Sequence, residues 1–96
     1  MTAILEELRA GGMTGLFIGG EWVEGAGELP VVDPASEEVL VGVGLAEASH
    51  ADDAVAAAFD ASKSWAQTPP RERGEVLRRT FEAMRAREED LAELIV

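Results

Sequence analysis

The spacing of hydrophobic and polar residues changes along the chain and divides it into a β-rich first half and a helical second half. Residues 16–45 hold short apolar stretches separated by glycine, proline and acidic residues, which is typical of strands joined by turns. From residue 50 onward, apolar residues recur at three- and four-residue spacing, the period of amphipathic helices. We therefore expect hairpins followed by helices.

Two turn signals define the hairpins. Gly19-Gly20 lies between Leu16-Phe17-Ile18 and Glu21-Trp22-Val23, and paired glycines can adopt the positive φ angles of a type I′ turn. In Asp33-Pro34-Ala35-Ser36, the aspartate can accept a hydrogen bond from the backbone two residues on, and proline presets φ. Gly25-Ala26-Gly27 is the expected connection between the hairpins.

The strand after the second turn is predicted over residues 38–44. Because side chains alternate along a strand, three valines are predicted to lie on one face and Leu40 on the other. The three valines are Val39, Val41 and Val43.

An amino-terminal arm is predicted over residues 1–15. A short helix from Thr2 to Arg9 would carry Ile4, Leu5 and Leu8 on one side. Gly11-Gly12 would end that helix.

The first long helix is predicted over about residues 50–66. Ser49 is the expected N-cap, with Asp52 three residues later in the manner of a capping box. One stripe of the helix is predicted to face inward. It comprises Val55, Ala58, Phe59, Ser62, Trp65 and Ala66.

The helical region continues over about residues 69–96. Thr68 begins it, with Pro69 at the first helical position, and Glu75 and Arg79 have the favourable i, i+4 spacing of an ion pair. A new helical phase begins near Glu88. The predicted inner stripe is Leu77, Thr80, Phe81 and Met84.

Apolar residues at the carboxyl-terminal end require a partner surface. Leu91, Leu94, Ile95 and Val96 follow an acidic turn, without a glycine cap or a basic last turn. We expect a fragment interrupted inside a helix. The alternative is a self-contained acidic interaction module that offers these residues to another protein.

Charge excludes several partners. The chain of 96 residues has a net charge of −11, which repels nucleic-acid phosphates and anionic membrane surfaces. Residues 1–48 carry one basic and nine acidic residues, and residues 49–96 carry seven and ten. We expect no nucleic-acid or membrane partner.

The chain contains no cysteine, which excludes disulfides, a thiolate nucleophile and cysteine-ligated zinc. The first twelve residues lack the pattern of a signal peptide, and no apolar stretch reaches the length of a membrane span. We predict a cytoplasmic location.

Two candidate sites follow the second hairpin. Gly42-Val43-Gly44-Leu45-Ala46-Glu47 resembles a dinucleotide fingerprint, but Glu47 replaces the third glycine and the helix begins too late. A strand end is the preferred interpretation. His50, next to a helix start, is interpreted as a capping residue because a catalytic triad is assembled from separate elements.

The remaining candidates lie on the helices. Glu88, Glu89 and Asp90 diverge by about 100° per residue and therefore do not converge on one ligand. The arginines of the second helical region are interpreted as a solvated face, with a salt-bridged interdomain contact as the alternative. Packing is the interpretation for Trp22, Phe59, Trp65 and Phe81.

Four ordered segments resemble the amino-terminal part of the aldehyde dehydrogenase superfamily, and the resemblance extends over residues 15–96. Two positions depart from the family pattern, which more often has Asn at Asp33 and Gly at Glu37. The segments are residues 18–23, residues 33–40, the alanine-rich helix 52–65 and residues 71–79.

The resemblance implies an α/β fold, with residues 16–96 as an incomplete amino-terminal part of an NAD(P)-binding domain. Two β-hairpins and two to three amphipathic helices would cover a central parallel sheet that this chain lacks. The family oxidises aldehydes with NAD or NADP through a cysteine thioester, and this sequence is similar to the succinate-semialdehyde type. The parent enzyme would be a homodimer or homotetramer.

No catalytic, cofactor-binding or metal-binding residue is assigned to this chain. The family's cysteine, glutamate, asparagine and lysine lie outside the matched segment. We therefore expect the chain alone to be inactive and to bind neither NAD nor NADP. Its expected partner is the remainder of its own enzyme, and the parent's substrate is a small-molecule aldehyde.

Overall fold

A computed structural model describes residues 2–96 of the protein. The chain divides into two compact units, residues 2–60 and residues 61–96. The predicted order of hairpins followed by helices is confirmed. The boundary proposed near residue 15 stays a prediction.

The chain begins with helix α1, Thr2–Ala10. The predicted glycine stop is present, because Gly12 has φ +69° and its N–H donates to the carbonyl of Arg9 over 3.1 Å. Met13 N–H donates to the carbonyl of Leu8 over 2.8 Å. These two bonds form a Schellman motif, which satisfies carbonyls that the helix end would otherwise leave unpaired.

The first hairpin pairs β1, Leu16–Ile18, with β2, Glu21–Val23, in antiparallel register. Gly19 and Gly20 have φ of +62° and +82°, which confirms the predicted two-residue turn with positive φ at both positions. Phe17 lies opposite Trp22, with ring centroids 4.9 Å apart. This cross-strand aromatic pair contributes to hairpin stability.

The second hairpin pairs β3, Glu28–Val32, with β4, Val39–Gly44. The predicted turn is confirmed, since Asp33 Oδ1 accepts a hydrogen bond of 2.9 Å from the N–H of Ala35. Glu37 completes the loop with φ +62°, and its N–H donates to the carbonyl of Asp33 over 2.7 Å. Glu37 thus adopts the left-handed conformation that favours glycine.

A β-bulge at Leu40 changes the predicted alternation of β4. Val41 pairs with Val31, whereas Val39 pairs with Val32. Because adjacent residues of β3 point to opposite faces, the single face predicted for Val39, Val41 and Val43 is wrong at Val39. Val39 is 63% exposed.

The bulge also explains a contact made by α1. Arg9 Nη2 donates a hydrogen bond to the carbonyl of Leu40, the residue that the bulge removes from ladder pairing. Ile4 and Leu5, at 6% and 8% exposure, are the buried hydrophobic side chains of residues 3–96. The helix within the predicted arm is therefore packed.

Helix α2 spans Ala48–Gln67, so the predicted N-cap at Ser49 is wrong because Ser49 lies inside the first turn. Glu47 precedes the helix, and its carbonyl accepts from the N–H of His50 over 3.0 Å. In return, the N–H of Glu47 donates to His50 Nδ1 over 3.0 Å. The bond to Nδ1 is one half of a capping box, in which the side chain of the third helical residue accepts from the N–H of the residue before the helix. The bond from the N–H of His50 goes to the backbone carbonyl of Glu47 and not to its side chain.

Two further helices follow, α3 at Pro70–Ala86 and α4 at Glu88–Ile95. Pro69 is the N-cap, so its predicted place as the first helical residue is wrong; Pro70 occupies that position. The helices are separated at Arg87, with φ −119° and ψ 25°, where the sequence predicted a new phase. The helical region predicted over about residues 69–96, with its new phase near Glu88, is therefore two helices.

The stripes predicted to face inward are largely exposed within this chain. Leu77 is 68% exposed, and Val55, Phe59, Phe81 and Met84 are each more than half exposed. The helical periodicity was predicted correctly, but burial also requires a facing element. Among residues 3–96, no such element covers these side chains to the buried level.

Candidate functional site

Exposed apolar surface is the main chemical feature of residues 2–60. Leu29, Val31 and Val32 of β3 are exposed, and so are Val55 and Phe59 of α2. Soluble monomers rarely leave large contiguous apolar patches in water, and such patches usually mark interaction surfaces. These faces are candidate docking surfaces.

Residues 61–96 carry a second apolar surface at the junction of α3 and α4, which we call the elbow. It encloses a cleft of about 360 Å³. Arg85 lies over the Phe81 ring, with its guanidinium carbon 5.9 Å from the ring centroid. The elbow is apolar at its centre and charged at its edge. Its residues are Phe81, Met84, Arg85, Glu88, Leu91, Ala92 and Ile95.

The charged face of α3 forms its own ion pairs. Arg78 contacts Glu75 through two hydrogen bonds of 2.9 and 2.6 Å, and Glu82 through one of 2.5 Å. The hydrogen bond from Arg78 lowers the pKa of Glu75, and Glu75 in turn raises the pKa of Arg78. Arg79, the partner predicted for Glu75, supplies only a weaker electrostatic contribution. The solvated-face interpretation of these arginines fits this exposed network.

The glycines of the fingerprint-like segment lie in an antiparallel strand rather than a phosphate-binding loop. Gly42 is paired with Pro30, and a Cβ at Gly42 would meet the Glu28 carboxylate. The N–H of Gly44 donates to the Thr14 carbonyl over 2.7 Å, and that of Leu45 to Gly27 over 2.9 Å. These donors are engaged, and the nearby carboxylate would repel a phosphate.

The other polar candidates form hydrogen bonds or ion pairs at the starts of helices. His50 caps α2 through Nδ1. Arg87 donates to Asp90 over 2.8 Å, and Arg85 lies 3.9 Å from Glu88. Within residues 2–96, no group of three or more His, Asp or Glu side chains is placed to hold a metal ion.

Residues 2–60 also contain a cleft of about 670 Å³. Six of its eleven lining residues are glycines, and Trp22, Glu24 and Glu28 are among the others. A Cβ on Gly15 would meet the backbone of Val23, and one on Gly25 would meet the backbone of Leu45. A Cβ on Gly44 would lie 3.2 Å from the Cα of Gly15. The glycines therefore allow close backbone packing beside the cleft.

The sequence contained an unused signal for the elbow. Phe81, Met84, Glu88, Leu91 and Ile95 alternate at spacings of three and four residues, which places them on one side of a continuous helical path. Because Glu88 is polar, the series does not form a continuous apolar stripe in the sequence. The elbow also depends on the non-helical backbone angles of Arg87, which separate α3 from α4.

No helix among residues 2–96 combines the length and hydropathy that crossing a bilayer requires.

Comparison with known proteins gives consistent matches. The sequence model of the aldehyde dehydrogenase family matches residues 22–96. The mitochondrial succinate-semialdehyde dehydrogenase of Hylobates lar is 37% identical over 95 residues, covering 90% of this chain and 18% of that protein. The mitochondrial enzyme of the same name from Arabidopsis thaliana is 32% identical over 97 residues, covering 97% and 18%.

A third relative carries a cofactor in its name. Succinate-semialdehyde dehydrogenase [NADP(+)] of Saccharomyces cerevisiae is 38% identical over 80 residues, covering 82% of this chain and 16% of that protein. The chain thus spans under a fifth of the length of these relatives. No solved structure matches it. The match to the family model and the identities to these dehydrogenases together establish that this chain belongs to the aldehyde dehydrogenase family.

Proposed function

We propose that this chain is the amino-terminal part of an NAD(P)-dependent aldehyde dehydrogenase that oxidises succinate semialdehyde or a related aldehyde through a cysteine thioester. The similarity to succinate-semialdehyde dehydrogenases over nine-tenths of the chain supports this proposal. The chain has no cysteine. On this proposal the nucleophile, the cofactor site and the aldehyde site belong to the remainder of the enzyme.

The chain's own role is to cover the cofactor-binding domain of that enzyme. The exposed apolar stripe of α2 carries this proposal, since Val55 and Phe59 have helical spacing and lie mostly in solvent. Burying such side chains is favourable by about 1.5–3 kcal/mol each. A cytoplasmic location and a homodimeric or homotetrameric parent remain part of the proposal, although relatives named above are mitochondrial.

A chimeric enzyme tests the covering role. Residues 22–96 replace the matching segment of the Saccharomyces cerevisiae enzyme, and reduction of NADP by succinate semialdehyde is measured. We expect a soluble, active chimera. Phe59→Asp should abolish solubility or activity there, while leaving the helical content of the isolated chain unchanged, because Phe59 is already exposed in that chain.

The matched control is Asp52→Asn, an exposed polar change on the same helix, which should preserve activity. Equal activity of the Phe59→Asp and Asp52→Asn chimeras would contradict the covering role. The isolated chain should reduce neither NAD nor NADP with succinate semialdehyde. Reduction by a pure preparation would contradict the assignment of catalysis to the remainder.

A further inference from the structure

We propose that Arg73 of α3 anchors this chain to the remainder of its enzyme through an ion pair with a carboxylate side chain of that remainder. The proposal rests on the covering role proposed above. The Nε–H of Arg73 is shielded from solvent and has no hydrogen-bond acceptor among residues 2–96. Buried polar groups in folded proteins are nearly always hydrogen-bonded, and leaving a charged one unpaired is especially unfavourable. The missing acceptor therefore indicates a partner outside this stretch of chain.

Arg73 differs in this respect from Arg78 on the same helix. Arg78 donates hydrogen bonds to Glu75 and to Glu82, and all three side chains are exposed. Arg73 is half-buried. The helix thus pairs an exposed guanidinium with its own acids and leaves the Nε–H of a shielded one without an acceptor.

The sequence around Arg73 offers no acidic side chain at helical spacing. Residues three and four positions apart are neighbours on a helix surface. The neighbours of Arg73 at these spacings are Pro69 and Pro70 on one side and Val76 and Leu77 on the other. Residues 61–96 carry seven basic and seven acidic residues, against one and twelve in residues 2–60. Acids are therefore present in this unit, but the side chains next to Arg73 along the helix are apolar.

The position of Arg73 on α3 assigns its partner to the covered side of the helix. At about 100° per residue, Arg73 projects within about 40° of Leu77 and Met84, and about 140° from Arg78. Leu77 and Met84 belong to the exposed apolar stripe of α3, and on the covering role such stripes face the remainder of the enzyme. Arg73 then enters the same interface, where an unpaired charge would be strongly unfavourable.

A carboxylate is the acceptor that fits a guanidinium in such an interface. The planar fork of guanidinium donors matches the two oxygens of a carboxylate, which can accept two parallel hydrogen bonds. A backbone carbonyl would accept from one N–H but would leave the positive charge unbalanced. We therefore assign the partner to an aspartate or glutamate side chain of the remainder.

The chimeric enzyme described above tests the ion pair through its rate of thermal inactivation. Arg73→Met removes the guanidinium and keeps a long apolar side chain, so the partner carboxylate is left unpaired in the interface. We expect this change to raise the inactivation rate at least about 10-fold. Arg73→Lys keeps the charge without the planar fork and should raise the rate less.

The matched control is Arg79→Met, the same change at an exposed position of the same helix. Its inactivation rate should stay within about 2-fold of that of the unmodified chimera. Equal rates for Arg73→Met and Arg79→Met would overturn the ion pair and leave the covering role standing. An insoluble unmodified chimera would contradict the covering role, and the ion pair with it.

The isolated chain supplies a second measurement. Because the Nε–H of Arg73 has no acceptor among residues 2–96, Arg73→Met should leave the helix signal in circular dichroism and the urea midpoint unchanged. Arg78→Met breaks the hydrogen bonds to Glu75 and Glu82 and should lower the helix signal slightly. A loss in Arg73→Met at least as large as that in Arg78→Met would show that the guanidinium already has a partner within this chain, and would overturn the proposal.

A suppressor selection in the chimera identifies the partner. Arg73→Glu would place two carboxylates together in the interface and should abolish activity. Random mutagenesis of the remainder should then restore activity through variants in which one aspartate or glutamate has become neutral or basic. Recovery only of variants that leave every acidic residue of the remainder unchanged would refute the pairing.

Discussion

The two units of this chain differ in what fixes their conformation. Residues 2–60 depend on backbone devices, namely glycines with positive φ, an aspartate turn, a Schellman motif and close packing of glycine backbones. Residues 61–96 depend on helices with ion pairs three and four residues apart. The first unit carries a charge of −11 and the second is neutral.

The two units should therefore respond differently to mutation. In residues 2–60, which we call the hairpin unit, an added methyl group on a glycine can reduce stability because it would meet backbone atoms. In residues 61–96, which we call the helical unit, truncation of a large exposed side chain should change the stability of the isolated chain little. It should instead weaken binding to a partner surface. The two tryptophans, Trp22 and Trp65, lie in different units, so Trp65→Phe leaves one that reports on residues 2–60.

The largest expected effect is the loss caused by Gly25→Ala. A Cβ at residue 25 would lie 2.6 Å from both the nitrogen and the oxygen of Leu45, so the backbone pairing of the connection with Leu45 must shift. We expect a loss of about 3 kcal/mol, measured by urea unfolding followed through Trp22 fluorescence.

Gly27→Ala is the control for that change, because a Cβ at residue 27 meets no atom within 4 Å. It should change stability by no more than about 1 kcal/mol. Similar losses for the two variants would show that close glycine packing does not distinguish the hairpin unit.

A matched pair of leucine truncations compares the units directly. Leu5 is 8% exposed in α1, and Leu5→Ala should reduce stability by about 2 kcal/mol. Leu77 is mostly exposed, and Leu77→Ala should change stability by less than about 0.5 kcal/mol, since alanine favours helix. Urea unfolding of both variants measures this, and equal losses would remove the contrast.

Glu37→Gly should stabilise the second hairpin. An L-residue in the left-handed region costs about 1–2 kcal/mol, and the greater freedom of glycine in the unfolded chain offsets part of the relief. The net gain should be about 0.5–1 kcal/mol, seen as a higher urea midpoint. Glu38→Gly is the control: Glu38 is not among the residues with positive φ, and its replacement should destabilise.

The smallest expected effect is a loss of α3 stability in acid. The pKa of Glu75 is lowered from its usual 4.5 by the hydrogen bond from Arg78, so the ionised form is favoured in the folded state. Its contribution is fully present above pH 4.5 and is lost as the pH falls through the lowered value. Because both groups are exposed, the loss should be slight.

Circular dichroism titration of the chain and of Glu75→Gln measures that effect. The difference in helix signal between them should disappear below the lowered pKa, and Arg78→Gln should behave like Glu75→Gln. A constant difference at all pH values would show that the ion pair does not support α3.

Local chemistry explains which predictions succeeded. The turn at Gly19-Gly20 needs positive φ from its own residues, and Asp33 reaches a donor only two residues away. Helix starts were harder to predict, because Glu47 and Ser49 could each precede the first turn of α2. In the structure Glu47 precedes it, and the N–H of Glu47 donates to His50 Nδ1. The favourable spacing of Glu75 and Arg79 contributes electrostatically, but the hydrogen bonds to Glu75 come from Arg78, which also lies within its reach.

The hairpin turns, the helical periods, the charge difference and the family resemblance could be predicted from the amino-acid sequence, because each depends on residues close together in the chain or on composition. The bulge at Leu40, its contact with Arg9, the close approach of Gly25 to Leu45 and the exposure of the helical stripes became visible only in the folded chain. These features depend on whether segments far apart in sequence meet, and no local pattern specifies that.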